Sequence, residues 1–164
     1  MKIMNTGGTF NKRYDSISGL LEVPYDNQAI EEIVQAFSYE VDIAGMLYKD
    51  SLEIDDEDRE QLTAILEADD EEVFVIVHGT DSMHLTAMQL AAYLPDRVIV
   101  ITGAMAPYSI DKCEASVNLG MALGFAATQP ANGVYICMSG IIAPHSKIVK
   151  NRREGRFQIV QERL

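Results

Sequence analysis

The chain has 164 residues, of which 25 are acidic and 13 basic, so its formal net charge is −12. This length is typical of one compact domain, and 48% hydrophobic residues with 23% charged residues argue against disorder. An acidic chain repels phosphate backbones, and no apolar run is long enough to cross a bilayer, so neither nucleic acid nor membrane is an expected partner. Because residues 1–9 carry no apolar signal segment, we expect a cytoplasmic protein.

The apolar pattern alternates along the chain between short strand-like runs and helical periods. It predicts strands at 3–6, 41–48, 73–77, 98–101 and 134–138, and helices over 30–37, 55–66, 82–94 and 114–127. Asp26 or Asn27 is expected to cap the first helix. Strands that alternate with helices imply right-handed crossovers, so we predict a single-domain α/β fold with a mostly parallel sheet and helices on both faces.

Charge is concentrated in two segments. Residues 50–72 hold 12 acids and one base, which favours a solvated helix face. A calcium loop is rejected there because the spaced oxygen ligands and the turn glycine are missing. A short basic stretch should pair with acids of this chain or of a neighbouring subunit: Lys147, Lys150, Arg152, Arg153 and Arg156. Cys113 and Cys137 lie in apolar stretches and are expected to be buried thiols.

Four predicted strands end in hydroxyls, small residues and carboxylates, at 6–9, 50–51, 79–81 and 102–104. Ligands of parallel α/β sheets bind at the carboxyl ends of the strands, so a pocket is expected there. Glycine beside threonine lets a ligand approach the backbone and leaves N–H groups free to hold an oxyanion. The spacing matches neither a dinucleotide fingerprint nor a P-loop nor a G-x-S-x-G elbow.

A threonine hydroxyl can act as a nucleophile when a nearby group takes its proton. Asp81 follows Thr80 directly, and Lys150 is a residue type that can serve as a base when buried. From the residues alone, an acyl-transfer or hydrolase site and simple structural turns both remain open. The histidines show no metal-ligand spacing with cysteine, so no zinc site is expected: His78, His84 and His145. His84 is expected on a helix surface.

Three blocks of the sequence resemble the signature blocks of the bacterial-type L-asparaginase/glutaminase family. They are Thr6-Gly7-Gly8-Thr9-Phe10, His78-Gly79-Thr80-Asp81-Ser82-Met83 and Thr102-Gly103-Ala104-Met105-x-Pro107, and they occur in the family's order and at roughly its spacing. The resemblance covers essentially the whole chain. It implies the flavodoxin-like or Rossmann-like N-terminal domain of that family over residues 1–164, without the family's C-terminal domain.

The resemblance also implies catalytic roles. Thr9 would attack the side-chain amide carbon, assisted by a loop tyrosine, for which Tyr14 fits and Tyr25 is a second candidate. Protons would be relayed by a second constellation of residues, which consists of Thr80, Asp81 and Lys150. Substrate-binding roles are implied for Gly8, Asp50, Ser51, Gly79, Thr80, Asp81 and Ala104. Ser51 would hold the α-carboxylate, Asp81 the α-amino group, and the backbone at Gly79 and Thr80 the oxyanion. No cofactor and no metal are implied.

The reaction that the resemblance implies is hydrolysis of the side-chain amide of L-asparagine, or a related amide, through an acyl-threonine intermediate. Two alternatives stay open, a non-catalytic amino-acid-binding module and a subunit of an amidotransferase. In the two-domain enzymes of the family, the C-terminal domain of a neighbouring subunit completes the site. A residue of a symmetric partner could replace it, so we expect a homodimer or a higher homo-oligomer.

Overall fold

The structure is a computed structural model that describes residues 1–160. Its strands are β1 (Lys2–Gly7), β2 (Arg13–Tyr14), β3 (Leu21–Glu22), β4 (Asp42–Lys49), β5 (Val73–Val77), β6 (Val98–Thr102), β7 (Gly133–Met138), β8 (Ile141–Pro144), β9 (Ile148–Asn151) and β10 (Arg156–Ile159). Its α-helices are α1 (Gln28–Val34), α2 (Asp56–Ala68), α3 (Met83–Tyr93) and α4 (Lys112–Ala127). None of these helices is long and apolar enough to cross a membrane.

One six-stranded sheet organises the molecule, in the order β4-β1-β5-β6-β7-β8. All neighbours in it are parallel except β7 and β8. The strand pairs β2–β3 and β9–β10 form separate antiparallel hairpins. The chain leaves β1 toward β4 on one side and returns to β5 on the other, so the strand order reverses at β1. Such a reversal opens a crevice at the carboxyl ends of the strands.

The core lies on both faces of this sheet. Phe74 and Ile76 pack with α2 and α3 on one face, while Val75 and Val77 pack with α1 and α4 on the other. Successive strand residues point to opposite faces, and a strand covered on both sides therefore needs an uninterrupted apolar run. The predicted α/β fold with helices on both faces is confirmed.

The predicted elements are confirmed to within a few residues, with exceptions at short or polar segments. Helix α1 ends at Val34 rather than at residue 37. Of the two predicted caps of α1, Asn27 makes no capping hydrogen bond with its side chain, whereas Asp26 Oδ1 accepts from the Gln28 N–H at 3.1 Å. The β2–β3 and β9–β10 hairpins and β8 were not predicted, because strands of two to four residues are too short to show a period.

The two cysteines differ in their surroundings. Cys137 is buried as predicted, and burial raises the pKa of its thiol to about 12. The prediction of a buried Cys113 is wrong, because this residue lies in the first turn of α4 and is exposed. Its backbone N–H is capped there by the Asp111 carboxylate, at 2.9 Å. The apolar residues that follow it in the sequence belong to later turns, which pack on the sheet.

The two charged segments behave largely as predicted. Helix α2 begins with a capping box, in which Asp55 and Asp58 each accept the other's backbone N–H. Negative side chains at this end also complement the helix dipole. In the basic stretch, Arg156 pairs with Glu154 at 2.5 Å. Two other residues of this stretch, Lys150 and Arg152, pair with Asp81 in the candidate site. No cluster of His, Cys, Asp and Glu able to hold a metal ion occurs between residues 1 and 160.

Candidate active site

Three loops at the carboxyl edge of the sheet are in direct contact. A Cβ atom added to Gly8, after β1, would lie 2.4 Å from the Cα of Gly79, after β5. A Cβ atom on Gly79 would lie 2.4 Å from the Cβ of Ser51, after β4. Distances this short exclude any side chain at the two glycines. The glycines therefore let the loops close on one another, which brings Thr9, Ser51 and Thr80 to one edge of the sheet.

A bulge at the end of β4 places the Ser51 loop. The register between β1 and β4 shifts there, and Leu47 and Tyr48 adopt positive φ angles of 65° and 49°. Positive φ strains residues other than glycine, and such strain persists where surrounding contacts hold it. One such contact is the hydrogen bond from the Gly8 N–H to the Lys49 carbonyl, at 2.8 Å. The bulge thus turns the chain toward the glycine loops just before Ser51.

The ammonium group of Lys150 joins two residues of the β5 loop. Its Nζ donates to Thr80 Oγ1 at 2.8 Å and to Asp81 Oδ1 at 2.9 Å. Lys150 lies on β9, so the unpredicted β9–β10 hairpin carries it to the site. Arg152 follows on the same segment and lies 3.4 Å from Asp81 Oδ1. The structure therefore brings together the lysine, threonine and aspartate that were predicted to act as one constellation.

Ser51 is buried and connects the β4 loop to the start of α3. Its Oγ accepts a hydrogen bond from the Asp81 backbone N–H at 3.2 Å. Its carbonyl oxygen accepts from the Ser82 hydroxyl. These bonds hold Ser51 against Asp81, so a residue with a hydroxyl and one with a carboxylate lie side by side at the carboxyl edge of the sheet. Such a pair can contact both charged ends of a zwitterion.

Asp50 forms an ion pair that was not predicted. Its Oδ2 lies 2.5 Å from Lys12 Nζ, and both side chains are partly exposed. Partial burial by itself raises the pKa of Asp50, but the Lys12 ammonium and the Leu52 backbone N–H outweigh it and hold that pKa below its ordinary value. Asp50 therefore carries its negative charge at neutral pH. No periodicity in the sequence could signal this contact between two loops.

Thr9 begins a short 3-10 turn over Thr9–Asn11 and is half-buried. Within residues 1–160 its hydroxyl makes no hydrogen bond, so it is not engaged in holding the turn. Tyr14 and Tyr25 are 68% and 85% exposed, and neither hydroxyl bonds to Thr9 in the described part of the chain. The ring of Tyr25 lies 5.7 Å from that of Tyr48. The assistance of Thr9 by a tyrosine stays a prediction.

The loop after β6 packs against the loop after β5. A Cβ on Gly103 would lie 2.3 Å from the His78 carbonyl oxygen, so this loop too closes through a glycine. The side chain of Asn118 donates to the Gly103 carbonyl at 2.9 Å, and the Glu114 carboxylate accepts two backbone N–H groups of the same loop. Ala104 is fully buried in the core, which leaves its side chain no access to a ligand.

His78 has a structural position beneath the β5 loop. It is fully buried, and its Nδ1 lies 2.8 Å from the Gly79 carbonyl, while its Nε2 lies 2.9 Å from the Thr86 hydroxyl. A carbonyl oxygen can only accept, so Nδ1 carries the ring proton and Nε2 accepts from Thr86. Burial lowers the pKa of His78 to about 4, and the ring is neutral at pH 7. By contrast, His84 is exposed on α3, as predicted.

The buried His78 should make stability depend on pH between about 4 and 6.5. In this window the unfolded chain binds a proton at His78 and the folded chain does not, so stability falls as pH falls. The expected loss is about 3 kcal/mol, measured as the free energy of urea unfolding. His78→Asn keeps a donor for Gly79 and should remove this slope, whereas His84→Asn should keep it. An unchanged slope in His78→Asn would contradict the assignment.

Two clefts open at the candidate site. One of about 440 Å³ is lined by Thr80, Asp81 and Lys150 together with apolar residues of α3 and the β9–β10 hairpin. The other, of about 520 Å³, is lined by Lys12, Asp50, Tyr25 and the neighbouring hairpin residues. Both volumes lie in the range of small-molecule sites. The predicted constellation and the Lys12–Asp50 pair therefore both face space that a small molecule could enter.

Comparison with known proteins gives one family. The model of the N-terminal domain of asparaginase matches residues 1–160. A glutamyl-tRNA(Gln) amidotransferase subunit from Methanococcus maripaludis is 31% identical over 149 residues, covering 85% of this chain and 35% of the relative. L-asparaginase 1 of Escherichia coli K12 is 30% identical over 110 residues, covering 65% of this chain and 32% of the relative. The chain thus spans about a third of the length of these curated relatives.

Two solved structures have the same fold. The thermostable L-asparaginase from Thermococcus kodakarensis matches 99% of this chain and 52% of its own, with a TM-score of 0.83 and 26% identity. L-asparaginase I from Vibrio cholerae matches 96% of this chain and 50% of its own, with a TM-score of 0.78. The second likeness, at 22% identity, shows the fold alone.

Proposed function

This chain belongs to the asparaginase family, and we propose that it hydrolyses the side-chain amide of L-asparagine, or of a related amide, to a carboxylate and ammonia. The observation that carries the proposal is the Lys150 ammonium bonded to both Thr80 Oγ1 and Asp81 Oδ1. The contact between Gly8 and Gly79 adds Thr9 to the same edge of the sheet. The proposed site therefore combines two threonine hydroxyls, a lysine and a carboxylate.

In the first step of the proposed reaction, Thr9 Oγ1 attacks the amide carbon and passes its proton toward the leaving nitrogen. The C–N bond breaks, ammonia leaves, and an ester joins the acyl group to Thr9. Negative charge develops on the amide oxygen in between, and backbone N–H groups of the glycine loops are the available donors for it. The N–H groups of Gly7 and Gly8 are already bonded to Asn5 and Lys49, so the proposed donors are the backbone N–H groups of Gly79 and Thr80.

In the second step, water attacks the acyl carbon and Thr9 leaves with a proton. Thr80 Oγ1 can accept a proton from this water while its own hydroxyl proton passes to the leaving Thr9 oxygen, and the Lys150 ammonium, bonded to Thr80 Oγ1, stabilises the negative charge that develops there. The Asp81 carboxylate holds the lysine in place and offers its other oxygen to the α-amino group of the substrate. Ser51, which is bonded to the Asp81 backbone, is the proposed partner of the α-carboxylate.

A second candidate function has its own support. The amidotransferase relative from Methanococcus maripaludis matches 85% of this chain. The same chemistry would then release ammonia for transfer within a complex, and a second protein would be required. A non-catalytic module that binds an amino acid would keep the pocket without turnover. For the hydrolase we propose a homo-oligomer in which a neighbouring copy covers the open edge of the site.

The test measures ammonia release from asparagine and glutamine by the purified chain. Lys150→Met keeps an unbranched side chain up to Cε but removes the ammonium group, and should lower kcat by about a hundredfold or more. Lys112→Met makes the same change on the exposed start of α4 and should leave kcat unaltered. No ammonia from the wild type, with amino-acid binding still visible by calorimetry, would favour the binding module. Full activity of Lys150→Met would contradict the proposed constellation.

A further inference from the structure

Three asparagine side chains form a buried network under the Thr9 turn. Asn5 lies on β1 and is fully buried, and Asn11 ends the 3-10 turn with only 3% of its surface exposed. Asn27 precedes α1 and is half-buried. Burying an amide is unfavourable unless its donors and acceptors are paired, and the pairing of these three is nearly complete.

The hydrogen bonds of the network converge on the backbone between β1 and Thr9. Asn11 Nδ2 donates to Asn5 Oδ1 at 2.9 Å and to the Gly7 carbonyl at 2.8 Å. Asn5 Oδ1 also accepts from the Gly7 N–H at 3.0 Å. Both polar groups of Gly7 are therefore held by side chains. This matters because Gly7 has a φ of 105° and pairs with β4 only at its shifted register.

The other end of the network reaches the elements around the site. Asn5 Nδ2 donates to Asn27 Oδ1 at 2.9 Å, and the same oxygen accepts from the Tyr48 hydroxyl at 3.4 Å. Tyr48 belongs to the strained bulge that precedes Ser51, and its ring contacts Tyr25. One chain of hydrogen bonds thus links the turn that carries Thr9 with the loop that carries Ser51.

We infer that Asn5 and Asn11 are positioning residues for the nucleophile Thr9. They touch no reacting atom. Their role is to fix Gly7 and the 3-10 turn so that the Thr9 hydroxyl keeps its direction toward the substrate, while its own oxygen stays free of hydrogen bonds within residues 1–160. A misplacement of a reacting group by about 1 Å can cost a hundredfold in rate. This inference rests on the proposed function of Thr9.

The network also explains why these amides are buried at all. Strand β1 pairs on both sides with parallel strands, and its other buried side chains include Ile3 and Met4. An apolar residue at position 5 would leave the Gly7 N–H without this acceptor and would take one of its two acceptors from Asn11 Nδ2. The cost of unpaired buried groups therefore ties the residue type at position 5 to the conformation of the turn.

The test compares steady-state kinetics of Asn11→Asp with the wild type on asparagine. The change is nearly isosteric, but it replaces the Nδ2 donor by an oxygen that faces two acceptors. We expect kcat to fall about tenfold or more and KM to stay within about threefold, because Ser51 and Asp81 are untouched. Asn132→Asp makes the same change in an exposed loop before β7, at the opposite edge of the sheet, and should leave both constants unchanged.

A second pair of variants separates positioning from stability. Leu66→Ala opens a cavity in the core of α2 and lowers the melting temperature, yet should leave kcat near the wild-type value at 25 °C. If Asn11→Asp does not fold, Asn27→Ala removes the nearest of the acceptors of Asn5 Nδ2 from a half-buried position and should lower kcat by severalfold. If the wild type is active and folded Asn11→Asp is equally active, the positioning role of Asn11 is wrong while the proposed function stands. An inactive wild type would overturn the proposed function and this inference together.

Discussion

Replacing Gly8 with alanine is expected to destabilise the protein by about 3 kcal/mol or more and to remove most amide hydrolysis. Gly8 has a φ of 76° and a ψ of −177°, a backbone region that residues other than glycine rarely adopt. The new Cβ would also lie 2.4 Å from both the N and the Cα of Gly79. Because both contacts are backbone atoms, no side chain can move aside, and the loops of Thr9 and Thr80 must separate.

Gly19 offers a matched control for this prediction. Its φ of 74° is nearly the same, but a Cβ added to Gly19 would have no atom of residues 1–160 within 4 Å, other than those of Gly19 and its chain neighbours. Gly19→Ala should therefore show only the conformational cost, about 1 kcal/mol, and keep its activity. Urea unfolding and ammonia release of both variants are the measurements. Equal losses of stability in the two variants would show that the contact between the glycine loops is not what holds the site.

Much of the sheet could be predicted because its strands are covered on both faces. The run Val73–Val77 is apolar at every position, and the structure packs its alternate residues into two separate cores. Helix α2 was likewise predictable from its acidic start and its apolar period. The β9–β10 hairpin was not, since four-residue strands with charged residues have no distinctive pattern. Lys150 was identified through the family resemblance, because no strand or helix was predicted around it.

The candidate site could be predicted at the strand ends but not in its supporting contacts. Threonine, glycine and aspartate after consecutive strands point to the carboxyl edge of a parallel sheet, where Thr80 and Asp81 indeed meet Ser51. The pair Lys12–Asp50 joins two loops that are distant in sequence, and no local pattern records it. Asn5 did leave a signal that was not used for prediction, because it is a polar residue inside an apolar strand before two glycines.

Replacing Thr9 with alanine should have the largest effect on activity of any single change. If Thr9 forms the acyl intermediate, loss of its oxygen removes the covalent route and should lower kcat by about a thousandfold or more. Its hydroxyl makes no hydrogen bond within residues 1–160, so the same change should alter the unfolding free energy by less than about 1 kcal/mol. Thr9→Ser keeps an oxygen and should retain part of the activity.

Thr128→Ala provides the control, since Thr128 directly follows α4 and its hydroxyl donates to the Phe125 carbonyl of that helix. The decisive measurement of Thr9 as the nucleophile is the rate of ammonia release from asparagine by folded Thr9→Ala, compared with the wild type and with Thr128→Ala. We expect Thr9→Ala to be at least about a thousandfold slower, while Thr128→Ala matches the wild type. A folded Thr9→Ala within tenfold of the wild-type rate would contradict Thr9 as the nucleophile.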